Sequence, residues 1–127
     1  MIESAFTRFL ITPVPKPRQT QADKWKKRPA VMRYRAFADE ARLKIKTLPA
    51  QPIHVVFVLP MPPSWSVRKR VLHNYQPHLQ KPDVDNLAKA LFDALLPDGD
   101  EKLYDVRISK LWGRKPEIWV RPIPDWR

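Results

Sequence analysis

Two aspartates one residue apart, Asp83 and Asp85, with Lys89 four positions further on, are the side chains of this sequence best suited to chemistry. Paired carboxylates hold hard divalent cations through oxygen. Such a cation polarises a phosphate and generates a nucleophile from bound water. The pair lies in Lys81-Pro82-Asp83-Val84-Asp85-Asn86, ahead of Leu87, Ala90, Leu91, Ala94 and Leu95. That spacing predicts a helix over 83–96. Side chains two apart in a helix diverge by about 200°. Both carboxylates therefore face one ion only if Asp83 lies in the extended lead-in and Asp85 at the cap or first turn. Pro82 favours that arrangement by extending Lys81, and the helix N-terminus favours negative charge. Lys89 shares a helix face with Asp85. It would offset charge developing on a phosphate or simply form an i,i+4 ion pair.

A lone D-x-D is weak, and an aspartate N-cap before an amphipathic helix explains one carboxylate without the other. Two further D-x-D chemistries do not fit. An aspartyl-phosphate enzyme places its nucleophile at the end of an apolar strand, which Leu79-Gln80-Lys81-Pro82 is not. A calcium-binding EF-hand loop needs further acids and a glycine at fixed spacing, and no segment supplies them.

The elements that would position these residues can be read along the chain. Residues 5–12 predict a first strand, ended by Pro13, Pro15 and Pro17. Residues 14–29 form an extended basic loop carrying Lys16, Arg18, Lys24, Lys26, Lys27 and Arg28 around Trp25. Tyr34, Phe37, Ala38, Ala41, Ile45 and Leu48 recur at helical spacing and predict a core-facing helix over 30–48. Residues 53–59 are nearly all apolar, as in a central strand, with His54 the exception. Ser64 to Arg70 is a second basic segment, with Trp65 inside it and Arg68, Lys69 and Arg70 at its end. Pro97-Asp98-Gly99 signals a turn. Residues 102–112 alternate, with Tyr104, Val106 and Ile108 on one face. A turn at 113–116 and a return over 117–121 predict a hairpin. The expected fold is α+β: a single small domain over 1–127, with a mixed β-sheet and two main helices in the order strand, helix, strand, helix, strand, strand.

Charge separates this chain from ordinary globular domains. It has 127 residues, 24 Lys plus Arg and 13 Asp plus Glu, a net of +11. Residues 1–82 carry 16 bases and 4 acids, whereas 83–105 carry 2 bases and 7 acids. A basic body suits a polyanion through counterion release. An acidic island inside it repels phosphate unless a divalent cation bridges the two, although acids also cluster on solvated faces. The absence of cysteine excludes disulfides and thiolate metal sites. No stretch reads as a membrane span or secretory signal, so the expected location is cytoplasmic.

The run from Lys81 to Leu95, KPDVDNLAKALFDAL, closely resembles the signature of the RusA family of Holliday junction resolvases, common in phages and prophages. Pro60-Met61-Pro62-Pro63-Ser64-Trp65-Ser66, Pro77-His78 and Pro15-Lys16-Pro17-Arg18 also resemble family members. The resemblance implies that Asp83 and Asp85 are metal ligands and that Lys89 is the active-site lysine. It implies a third aspartate before the next strand. Asp100 is aligned there, anchored by Asp105-Val106-Arg107-Ile108-Ser109-Lys110. The loop is shorter than the family pattern, Glu101 is the rival ligand, and Asp98 reads as a turn residue. His78 either contacts phosphate or the ion's water shell, or hydrogen-bonds the backbone. Asp93 is expected in a structural or dimer-contact role.

The expectation is therefore a Mg²⁺-dependent endonuclease, with Mn²⁺ as substitute, acting as a homodimer on four-way DNA junctions. Its products would carry 5′-phosphate and 3′-hydroxyl ends. Lys16, Arg18, Lys24, Lys26, Lys27, Arg28, Arg68, Lys69, Arg70 and Lys81 are the expected DNA contacts. The alternatives are a basic DNA-binding protein without catalysis and a nuclease for flaps or other branched DNA.

Overall fold

The computed structural model describes residues 6–17 and 28–124. Seven elements follow in order: β1 (Thr7–Phe9), α1 (Pro29–Lys44), β2 (Ile53–Pro60), α2 (Val67–His73), α3 (Val84–Leu95), β3 (Val106–Gly113) and β4 (Glu117–Pro122). The four strands form one mixed sheet in the order β1-β4-β2-β3. β2 runs parallel to β3 and antiparallel to β4, and β1 is antiparallel to β4. The α+β class and the mixed sheet agree with the sequence reading.

β2 lies inside the sheet, between β4 and β3, because it can be buried on both faces. Ile53 to Leu59 are all buried. Ile53, Val55, Phe57 and Leu59 point into the main core. Val56 and Val58 point the other way, against Trp119, Leu111 and Phe6. α1 and α3 pack together over the main-core face. Pro29 starts α1 at a position where a missing N–H costs nothing. Val31, Tyr34, Phe37, Ala38 and Ala41 form its buried stripe. In α3, Leu87 and Leu91 are fully buried, each contributing roughly 1.5–3 kcal/mol of transfer free energy. Arg42 Nε donates to Ala94 O at 2.9 Å, tying α1 to the last turn of α3.

Five details depart from the sequence reading. The hairpin over 102–121 does not form: β2 lies between β3 and β4. The three residues Arg114 to Pro116 instead cross the end of β2, a span of two strand spacings, about 10 Å. Gly113 permits the crossing, because a Cβ there would lie 2.2 Å from Val58 Cγ1.

β3 also begins later than residue 102. Gln51 Oε1 accepts the N–H groups of Tyr104 and Asp105 at 2.7 and 3.1 Å, and Gln51 Nε2 donates to Lys102 O at 3.0 Å. This side chain holds 102–105 in a loop, leaving Tyr104 exposed.

Residues 67–73 form a third helix, capped by Ser66 Oγ accepting Lys69 N–H at 3.1 Å. None of its residues is buried, so it lacks the core stripe that reveals a helix in sequence.

Within the described residues the first strand is only Thr7–Phe9, and α1 stops before residue 48. Lys46 adopts φ 67°, a left-handed termination, yet Leu48 still packs on the core.

Candidate active site

α3 places the paired aspartates at its N-terminus. Asp83 is the N-cap residue, with φ −70° and ψ 142°, and its side chain makes no capping hydrogen bond. Asp85 lies in the first turn, and its Oδ1 accepts the Asn86 N–H at 2.9 Å. Asp83 therefore sits in the extended lead-in and Asp85 just inside the helix, and both are exposed. Lys89 lies one turn further on and is also exposed. Lys81 Nζ stands 3.9 Å from Asp83 Oδ1. That pair is too exposed to contribute more than about 1 kcal/mol.

The lead-in is anchored to the sheet. Residues 75–78 run along the outer edge of β3: Tyr75 N–H donates to Trp112 O at 2.8 Å, Trp112 N–H to Gln76 O at 3.0 Å, and His78 N–H to Lys110 O at 3.0 Å. Lys110, on β3, then reaches back to the chain just before Asp83. Its Nζ donates to Pro82 O at 2.8 Å and also to Gln80 O. Burial holds the Lys110 ammonium below the ordinary lysine value, and the Asp83 carboxylate opposes that shift. Lys110 carried no signal in sequence, because 27 residues separate it from Asp83.

The helix itself is fixed by the N-terminal loop. Lys16 N–H donates to Asn86 O at 3.3 Å, and Asn86 Nδ2 returns a bond to Lys16 O at 3.1 Å. The Lys16 ammonium pairs with Asp93 at 2.8 Å and lies 4.6 Å from the centre of the Tyr34 ring. Burial pulls that ammonium down, but bonds to Asp93 and Tyr34 outweigh it and leave it above the ordinary value. Lys16 is thus spent inside the chain instead of reaching outward, and Asp93 has the structural role expected of it.

Asp100 is not brought to the pair. It follows the C-terminus of α3, where Gly99 N–H closes a turn onto Leu96 O at 3.0 Å. A helix of 12 residues is about 18 Å long, so Asp83 and Asp100 lie at opposite ends. Glu101 shares that far end. Among the described residues no three His, Cys, Asp or Glu side chains gather closely enough to hold a metal ion. Asp83 and Asp85 still suit a hard cation by donor chemistry, because both offer exposed carboxylate oxygens.

The other sequence-derived residues divide into four groups. Arg18, Lys24, Lys26 and Lys27 lie outside the described residues. Arg28 is the N-cap residue of α1. Arg70 is turned inward, donating to the carbonyls of Trp65, Pro62 and Pro63 at 3.2, 3.4 and 2.7 Å, so it braces the loop before α2. Arg68 and Lys81 are exposed. Lys69 is also exposed, with its ammonium 4.3 Å from the centre of the Trp65 ring.

His78 is buried against Trp112, with ring centres 3.9 Å apart. Its Nδ1 accepts the Gln80 N–H at 3.4 Å. Burial, and then Lys110, lower its pKa. These contacts are the backbone-bonding role weighed for it in the sequence.

The protein is a basic α+β domain with two exposed carboxylates at a helix N-terminus, the donor type that hard cations take. Residues 11–121 match the family model of Endodeoxyribonuclease RusA. The chain belongs to that family. No curated protein and no solved structure gave a significant match. No helix among the described residues is long and apolar enough to cross a membrane.

Proposed function

We propose that the protein is a divalent-metal-dependent endonuclease that resolves four-way DNA junctions, with Asp83 and Asp85 as metal ligands and Lys89 as the active-site lysine. One observation carries the reading: in a chain of the RusA family, Asp83 caps α3 by its backbone while its carboxylate makes no capping bond. A purely structural N-cap would use that side chain. A Mg²⁺ ion bound there would polarise the scissile phosphate and activate a water.

The protein's own residues do the rest. The N-terminal end of α3 favours the negative phosphate. Lys89, exposed on the same helix, stabilises charge developing on the phosphate or orients the water. Arg68, Lys69 and Lys81 offer exposed cations to the DNA backbone. In sequence, the segment 18–28 carries five further bases, Arg18, Lys24, Lys26, Lys27 and Arg28.

Asp100 enters this scheme through a second copy. One chain keeps it at the far end of α3 from Asp83, so a third carboxylate has to come from elsewhere. A twofold dimer relates equivalent surfaces. It can present Asp100 of one copy to the Asp83–Asp85 end of the other. The same symmetry would set two active sites on opposed strands of a junction.

The test is cleavage of end-labelled four-way, three-way and linear DNA across Mg²⁺ and Mn²⁺ titrations. Paired symmetric nicks on the four-way form, dependent on the ion, are the expected result. Junctions bound but left intact at every ion concentration would make the protein a non-catalytic DNA binder. Preferential cutting of three-way forms would make it a flap or fork nuclease.

A further inference from the structure

We propose that Lys110 is the positioning residue for Asp83, holding the metal-binding carboxylate in place through the peptide that precedes it; this rests on Asp83 being a ligand. Val106, Ile108 and Lys110 share one face of β3, and the first two pack against the main core. Lys110 continues that face past the core to the N-terminal end of α3. A lysine there keeps an apolar stem against packed neighbours while its head finds polar partners. The partners are two main-chain carbonyls, Gln80 O and, at 2.8 Å, Pro82 O.

The second carbonyl belongs to the peptide whose nitrogen is that of Asp83. Fixing it limits rotation of the N-cap residue, and so the direction in which its carboxylate leaves the chain. Asp83 has no side-chain cap bond to do this itself, and its pairing with exposed Lys81 is long. Bonds from an ammonium are stronger than neutral ones, so one side chain can hold a three-residue lead-in. Lys110 touches no substrate in this scheme. It acts through Asp83 and lets the ligand wait in position before an ion arrives.

The experiment compares Mn²⁺ binding, by calorimetry and by electron paramagnetic resonance, in the full-length wild type, Lys110→Met, Lys110→Arg and the surface control Lys115→Met. Supporting groups around metal ligands change affinity by about 10–100-fold when removed. The half-saturating Mn²⁺ concentration should rise by about that factor in Lys110→Met. Lys110→Arg, which can still donate to both carbonyls, should recover most of it, and Lys115→Met should match wild type. Junction affinity in EDTA should change by less than about twofold in all four, because binding to backbone phosphates does not require the ion. A folded Lys110→Met protein with wild-type Mn²⁺ affinity would overturn the proposal. If Lys110→Met does not fold, Lys110→Arg decides. Affinity within about threefold of wild type supports the positioning role, and a loss as large as that of Asp83→Asn overturns it. Wild type that binds no Mn²⁺ would instead overturn the metal-ligand reading of Asp83, and Lys110 with it.

Discussion

Asp83 and Asp100 stand at opposite ends of α3, one as its N-cap and the other beyond the turn that ends it. If both serve one active site, they come from different copies of the chain. Mixing Asp83→Asn with Asp100→Asn protein then gives a clear outcome. In the mixed dimer one site collects both substitutions and the other collects none. Random pairing leaves about a quarter of the sites intact. The mixture should therefore nick four-way junctions although neither variant does so alone, and nicks should predominate over paired cuts. A single-chain site predicts no recovery. Subunit exchange followed by gel analysis of labelled junctions distinguishes the two.

Lys89 is exposed, and among the described residues it makes no ion pair. Lys89→Ala should accordingly leave stability within about 0.5 kcal/mol of wild type. If its ammonium meets charge that develops only during reaction, kcat should fall by about 10²–10³-fold with Mn²⁺ affinity unchanged. Single-turnover cleavage beside calorimetric ion binding makes the measurement. Unchanged turnover would reduce Lys89 to a solvated surface charge.

His54 gives a pH prediction unrelated to catalysis. It is buried in β2, with Nε2 2.8 Å from Ser109 Oγ. Arg107 and Arg121 occupy the facing positions on the neighbouring strands. Burial, and then those two guanidinium groups, push its pKa down to about 4. The unfolded chain, near 6.5, binds the proton more readily, so stability is complete above pH 6.5 and falls as pH drops toward 4. The loss is roughly 3 kcal/mol at most. His78, also lowered, acts in the same direction. Urea unfolding at pH 7.5 and pH 5 should show a smaller difference for His54→Gln than for wild type. Equal differences would mean that His54 is not neutral in the folded chain.

Local periodicity is what made the fold readable. The stripe from Tyr34 to Ile45, the apolar run from Ile53 and the spacing from Leu87 to Ala94 each record burial along one element. Pairing between elements leaves no such record. Residues 106–113 and 117–122 look like a hairpin because only a short turn joins them, yet β2 lies between them. What decides this is the capacity of β2 to be buried on both faces. α2 escaped notice because a helix without a buried stripe has no period.

The Asp83–Asp85 lead-in was legible because proline, cap and first turn are local features. Asp100 was placed from family resemblance, and the length of α3 carries it away from the pair. Lys16 and Arg70 read as phosphate contacts by type, but nearby acceptors take up both. Lys110 depends on a long-range contact between a strand and a loop, and nothing local announces that contact.

Whether Asp83 holds the catalytic ion is tested most directly by Asp83→Asn. The change keeps the size of the side chain and removes its charge. Cleavage of four-way junctions in saturating Mg²⁺ should fall below detection. Junction affinity in EDTA should hold or tighten, because a carboxylate repelling phosphate is gone. Wild-type cleavage by the Asp83→Asn protein would mean that Asp83 does not hold the catalytic ion.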